Sequence, residues 1–289
     1  MKKIIFSIYN LIVFISLCEY LIITKSSYAF IPIINEPNQE ELKSTSIQIG
    51  KTAIQLIQYG QNNEAIKLLE LAIKLNPKET DLWITLAEAQ IRSKKEYEAL
   101  SSLDKAIKLQ PKKESIYFTK ASIYMDLNSP EQAKDLIKKG LSIKRNSDIG
   151  YFQLGNAEIM LNNYKLALIA FKKSSKINSN FWQSINNEGL VLYELNKEKE
   201  AILKFKSAIK ISNNAEPMLA LAIILFSSDN KSNESIKLAK NALISNPKYV
   251  SKDYQTKQLW GKKLQKASQV LFKAKEMKKA VKEAKEKSQ

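Results

Sequence analysis

Apolar residues along the chain fall mainly at spacings of three and four, the mark of helices with one buried face, and that pattern itself repeats. The run Glu64-Ala65-Ile66-Lys67-Leu68-Leu69-Glu70-Leu71-Ala72-Ile73-Lys74-Leu75-Asn76-Pro77 returns 34 residues later as Glu98-Ala99 through Pro111. Weaker copies follow in the same register, giving six units at 46–79, 80–113, 114–147, 148–181, 182–215 and 216–249. Inside each unit a break such as Gly60-Gln61-Asn62-Asn63, Asn128-Ser129-Pro130 or Leu161-Asn162-Asn163 separates two periodic runs, which predicts two helices per unit and an all-α chain. Pro77, Pro111 and Pro247 close the second run, because a residue without an N–H stops a helix.

Three places in the unit stay small. The eighth holds Ala53, Ala87, Ala121, Gly155, Gly189 and Ile223; the twentieth Ala65, Ala99, Ala133, Ala167, Ala201 and Ser235; the twenty-seventh Ala72, Ala106, Gly140, Ser174, Ala208 and Ala242. Helices approach closely only where side chains are small, so these places mark the crossing of a unit's two helices. Trp83, Tyr117 and Tyr151 at the fourth place, with Leu69, Leu103, Ile137, Phe171 and Phe205 at the twenty-fourth, supply the bulk around it.

These residues resemble the tetratricopeptide repeat family, whose aromatic, Leu-Gly/Ala, aromatic, Ala, Phe and Pro places they occupy. The resemblance implies a right-handed superhelix of about six helix-turn-helix repeats around a concave groove, with a C-terminal capping helix. Departures are local: Gln90 and Glu158 stand at a usually aromatic place, Arg145, Ser179 and Asn213 replace the closing proline, and Ile223 breaks the small crossing, so the sixth unit's first helix is expected to pack more loosely.

In the family the first helix of each unit lines the groove. Carried onto this chain, that gives Ile84, Ile91, Phe118, Met125, Phe152, Gln153, Asn156, Ile159, Asn187, Leu190 and Tyr193, an apolar and aromatic surface with Phe118, Phe152 and Tyr193 as anchors. Asn156 and Asn187 fall where family members hold a ligand's main chain, and an amide can both donate to and accept from an extended peptide. Phe152, Pro217 and Leu221 sit where a clamp for an acidic C-terminal tail needs Lys or Arg, so binding of such a tail is not expected. The competing expectation is that these apolar residues pack on the neighbouring unit or lie under the chain's own tail.

Outside the repeats, residues 1–29 read as a signal peptide or membrane anchor. A basic start, Met1-Lys2-Lys3, precedes apolar residues to Ile23, and Ser27-Tyr28-Ala29 is a small-x-small processing pattern. The uncharged, largely apolar run from Ile4 to Cys18 spans only about 22 Å as a helix, and Glu19 follows it, which favours cleavage after Ala29 over a retained anchor. Either way the rest of the chain is exported. Leu17 stands where a lipoprotein signal needs a small residue ahead of Cys18. Residues 30–45 lack a period and read as a linker.

Residues 250–289 read as a capping helix and a Lys-rich tail. The stripe Trp260, Leu264, Ala267, Leu271, Ala274 and Val281 predicts one amphipathic helix that covers the solenoid's end and frays. The run Gln258-Leu259-Trp260-Gly261-Lys262-Lys263-Leu264 is similar to a tail motif of cyanobacterial and chloroplast tetratricopeptide proteins, some of which assist photosystem assembly.

Charge divides along the same lines. Of the net +17, twelve lysines against four acids put +8 into residues 250–289, the repeats carry +9, and the first 45 residues balance. Lys273, Lys275, Lys278, Lys279 and Lys282 are therefore candidates for an anionic surface, either membrane or nucleic acid. Only Arg92 and Arg145 among the 46 basic residues are arginine, which argues against nucleic acid, where the bidentate guanidinium is favoured. The chain has no histidine, a single cysteine and no phosphate-loop, dinucleotide or metal motif, so no catalytic, cofactor or metal site is expected. The expectation is a non-catalytic adaptor binding an apolar or extended peptide, possible cargo being membrane or envelope proteins under assembly, with binding to nucleic acid or an anionic membrane as the alternative.

Overall fold

The computed structural model describes residues 36–228 and 233–288, so the export segment read over 1–29 lies outside the described residues. Asn38 sets the first helix. Its Oδ1 accepts from the backbone N–H of Glu40 and Glu41 at 3.0 and 2.9 Å, and the Glu41 carboxylate accepts from Asn38 N at 3.1 Å. This reciprocal capping box starts α1 (Gln39–Gln58) seven residues before the repeat register begins. The linker expected over 30–45 therefore ends by residue 38: a cap decides a helix start even where no apolar period has yet appeared.

From Lys43 onward the chain is one unit. The helices after α1 are α2 (Asn62–Leu75), α3 (Thr80–Arg92), α4 (Glu96–Leu109), α5 (Glu114–Asp126), α6 (Pro130–Ile143), α7 (Asp148–Met160), α8 (Tyr164–Ile177), α9 (Trp182–Glu194), α10 (Glu198–Ile211), α11 (Ala215–Ser228) and α12 (Asn233–Ser245). They stack as six hairpins in the 34-residue register. The hairpin turns need a left-handed residue, supplied at the fifteenth place of the unit by Gly60, Lys94, Asn128, Asn162 and Asn196, with φ of 76°, 57°, 54°, 60° and 62°. Glycine and asparagine tolerate that conformation best, which is why these breaks are visible in the sequence.

The crossing of each hairpin works by size exchange between the eighth and twenty-fourth places. Where the twenty-fourth is Leu69, Leu103 or Ile137, the eighth is alanine; where it is Phe171 or Phe205, the eighth is Gly155 or Gly189. A Cβ added at Gly155 would stand 2.5 Å from the Phe171 ring, and one at Gly189 2.8 Å from Phe205, so the phenyl rings occupy the volume the missing methyl leaves. In the sixth hairpin the exchange is reversed: Ile223 is the large member and Ala239 the small one, and both are fully buried. The looser packing expected at Ile223 is thus corrected. The aromatic fourth place and the closing proline also work together: Trp83 Nε1 donates to Pro77 O and Tyr117 Oη to Pro111 O, both at 2.9 Å. Gln90 and Glu158 are satisfied by Ser102 at 2.8 Å, and by Asn163 at 2.8 Å with Lys134 at 3.3 Å.

Beyond the repeats, the expected single amphipathic helix is three. A 3-10 turn (Pro247–Val250) leads to α13 (Lys252–Lys257), then α14 (Lys262–Phe272), a second 3-10 turn (Lys275–Met277) and α15 (Lys278–Lys287). Extended backbone at Gly261 and Ala274, with ψ of 166° and 143°, interrupts the stripe that the apolar spacing suggested. α14 packs on α9 and α11, and α15 on α12 and the first 3-10 turn. Met277 and Ala284 join the last core cluster, so the tail expected to fray is docked.

Candidate functional site

The concave side is built by the odd-numbered helices of the hairpins, and α13 and α14 turn back against it. Between them lies a cleft of about 1030 Å³. Its repeat wall comes from the ends of α5 and α7 and the turns after them, through Met125, Asn156, Ile159, Met160 and Tyr164 among others; its second wall is Lys252 to Gln269 of α13 and α14.

The second wall is fastened by the residues of the Gln258–Leu264 run. Trp260 is buried and its Nε1 donates to Glu216 Oε1 at 2.9 Å. Glu216 opens α11 and is itself buried. Burial raises its carboxyl to about 7, partly offset by hydrogen bonds from Trp260 and Tyr249, and burial likewise pushes the Tyr249 hydroxyl up. Glu194, at the end of α9, caps α14: its two carboxylate oxygens accept from Lys263 N at 3.2 Å and Leu264 N at 3.0 Å. A negative charge at a helix start also complements the helix dipole. Gly261 makes this approach possible, since a Cβ there would lie 2.1 Å from Glu194 Cδ. Lys263 Nζ then reaches Tyr193 O at 3.2 Å, Asn196 Oδ1 at 3.0 Å and Glu198 Oε1 at 3.0 Å, and sits 4.1 Å above the Tyr193 ring. Leu259, held at φ 61°, packs against the cluster that contains Ile159.

These contacts divide the expected groove residues. Tyr193 and Leu190 are buried, Tyr193 under Lys263, so Tyr193 is no ligand anchor. Phe118 is not one either: its ring lies where Cβ atoms on Gly140 and Gly150 would come within 2.5 and 2.7 Å, so it fills the seam between the third and fourth repeats. Phe152, half-buried, lies tilted against Phe181 and Phe171 of its own repeat, with ring centroids 4.9 and 5.9 Å away, and packs on the cluster that also holds Val191 of the fifth. Ile84 and Ile91 are half-buried on the core of the second repeat. Asn187 is buried with both ends of its amide used. It accepts from Asn186 Nδ2 at 3.2 Å and donates to Asn156 Oδ1 at 3.0 Å. That chain of amides fixes Asn156 by its oxygen and leaves its N–H groups for the cleft. Met125, Asn156 and Ile159 are therefore the expected residues that the structure brings together on one lining. Lys273, Lys275, Lys278, Lys279 and Lys282 are all exposed, on α15 and the segment before it.

Sequence reasoning missed the fastening of the second wall. Its signal was the dense Gln258–Leu264 run, but its partners Glu194, Glu198 and Glu216 lie 44 to 70 residues earlier and carry no local mark.

Residues 56–100 and residues 114–147 each match a family model described as tetratricopeptide repeat. No curated protein matches the chain in sequence. In fold the chain is similar to PilF of Pseudomonas aeruginosa, 17% identical, with a TM-score of 0.63 over 76% of this chain and 98% of that one. It is also similar to PilW, a widely conserved type IV pilus biogenesis factor, 19% identical, with a TM-score of 0.62 over 73% of this chain and 97% of that one. MamA of Desulfovibrio magneticus RS-1, in a chain running from residue 41 to its end, is 14% identical with a TM-score of 0.53, over 58% of this chain and 95% of that one. These identities speak for the fold. Residues 56–100 and 114–147 are thus tetratricopeptide repeats by family model, and the 34-residue register they share runs through all six hairpins.

Proposed function

We propose that this chain is a non-catalytic adaptor, delivered across a membrane, that holds an extended segment of a protein partner in the cleft between α5, α7 and the C-terminal helices. The observation that supports this most is the lining. A volume of about 1030 Å³ lies at the top of the range of small-ligand pockets, enough for several residues of chain. Met125, Ile159 and Met160 offer adaptable apolar surface. Asn156, oriented by Asn187, offers N–H donors to a main-chain carbonyl. Delivery rests on the basic, apolar and small-x-small order of residues 1–29. A scaffold sent across a membrane suits the assembly of membrane or envelope complexes.

Selection of binders from a displayed peptide library by the full chain tests the cleft. The selected peptides are expected to lose about tenfold in affinity with Asn156→Leu, the loss of one or two hydrogen bonds; the variant also removes the acceptor of buried Asn187, so its melting temperature should fall and affinities are compared well below it. Equal binding by the wild type and the variant would refute the cleft. Cell fractionation with a C-terminal tag tests delivery, and retention in the cytosol contradicts it.

A second reading, binding to an anionic surface through Lys273, Lys275, Lys278, Lys279 and Lys282, is favoured by their exposure. Of these five, Lys279 has a carboxylate within 4 Å, Glu283 at 3.9 Å. Binding by that route weakens steeply with salt and is lost when residues 273–289 are removed.

A further inference from the structure

We infer that the segment taken by the cleft is an extended one in which acidic and apolar residues alternate, its carboxylates read by lysines of the C-terminal helices rather than by the repeats. This rests on the peptide-holding function proposed above.

The cleft is divided by chemistry. Lys252 and Lys257 of α13 and Lys262 and Lys266 of α14 line one wall, and all four are exposed. None of them has a carboxylate within 4 Å among the described residues. The repeat wall contributes no lysine at all, in a chain where 46 of 289 residues are basic. Lys263, between two of the cleft lysines, points instead to the fastening and is satisfied by Tyr193, Asn196 and Glu198. Lys262 and Lys266 are one helical turn apart and share a face.

Four like charges along one wall raise the positive potential of the cleft. Carboxylates on a ligand offset that potential. The opposite wall carries Met125, Ile159 and Met160, with one acid, Asp126, whose carboxyl is held above the usual range by burial and by Glu96. An extended chain presents alternate side chains to opposite sides, roughly 6.7 Å apart on each. Carboxylates on one side then meet the lysines while apolar groups on the other meet the methionines, and Asn156 can donate to a carbonyl between. The cation clamp whose absence from α7 and α11 argued against acidic tails is not required, because these cations come from outside the repeats.

The probes are fluorescent decapeptides of alternating Glu and Leu, of Gln and Leu, and of Lys and Leu, titrated onto the full chain at physiological salt. The Glu-Leu peptide is expected to bind at least tenfold more tightly than the Gln-Leu peptide, and the Lys-Leu peptide more weakly than either. Combined Lys257→Gln, Lys262→Gln and Lys266→Gln should bring the Glu-Leu peptide down to the Gln-Leu level. Combined Lys278→Gln, Lys279→Gln and Lys282→Gln, with the same change in net charge, should leave it unchanged. Both variants alter exposed side chains, and unchanged melting temperatures confirm that they fold. Equal affinity for the Glu-Leu and Gln-Leu peptides, with both weakened by Asn156→Leu, overturns the acidic preference and keeps the cleft. Loss in the 278, 279 and 282 variant overturns it in favour of diffuse charge, as does displacement by an oligonucleotide of equal charge. Binding of none of the peptides overturns both readings.

Discussion

The third and fifth repeats carry the same pattern and meet different fates. α5 buries four of its thirteen residues, whereas α9 buries ten of thirteen and α11 eleven of fourteen. The difference is the second wall. α14 lies on the concave faces of α9 and α11 and turns family groove positions into core, while the cleft stays open further back, against α5 and α7. A position in a repeat therefore has no fixed role: what it does depends on whether the chain's own tail reaches it.

The largest test of this contrast is Trp260→Ala. It removes a buried ring and leaves Glu216 with one donor fewer, and should cost about 3–5 kcal/mol in denaturant unfolding. Because repeats stabilise each other through neighbours, hydrogen exchange should rise in α9, α11 and α14 and stay unchanged in α2 to α4. A uniform rise along the solenoid would break the contrast.

Glu216 gives the next effect. The folded chain holds its proton up to about pH 7, while the unfolded chain loses it near 4.5. Between these values the folded state binds more protons, so stability falls as pH rises. The contribution is complete below pH 4.5 and gone above about 7, a change on the order of 3 kcal/mol. Urea titrations between pH 4 and 8 should show this slope in the wild type and a flatter one in Glu216→Gln.

At the crossings, Gly155→Ala should cost about 1–3 kcal/mol by overpacking, and adding Phe171→Leu should recover part of it, as the alanine–leucine pairs of the first two repeats do. A double-mutant cycle measures the coupling, and additive losses would disprove size exchange. The smallest effect is Lys263→Met, about 1–2 kcal/mol for its hydrogen bonds, seen in the C-terminal helices and absent from the first three repeats.

The repeats were legible in the sequence because each hairpin's information is local: Asn and Gly at left-handed turns, small residues at crossings, and proline after the second helix. The helix start at Gln39 was not, since the cap at Asn38 acts without periodicity. The C-terminal stripe Trp260, Leu264 and Leu271 correctly marked burial but concealed breaks at Gly261 and Ala274, because apolar spacing continues across a bend when both pieces face one core. Of the candidate site, Met125, Asn156 and Ile159 could be placed from register alone. Phe118, Phe152 and Tyr193 could not, because whether an aromatic faces a groove or a seam depends on residues elsewhere, Gly140 and Gly150 for the first, Phe181 for the second and Lys263 for the third.

Hydrogen exchange of the full chain at α14 tests the central claim most directly. If the C-terminal helices complete the last repeats and wall the cleft, the amides of Leu264 to Phe272 open with the same free energy as those of α11. Exchange of α14 within seconds, while α11 stays protected, would show a loose tail and contradict the account.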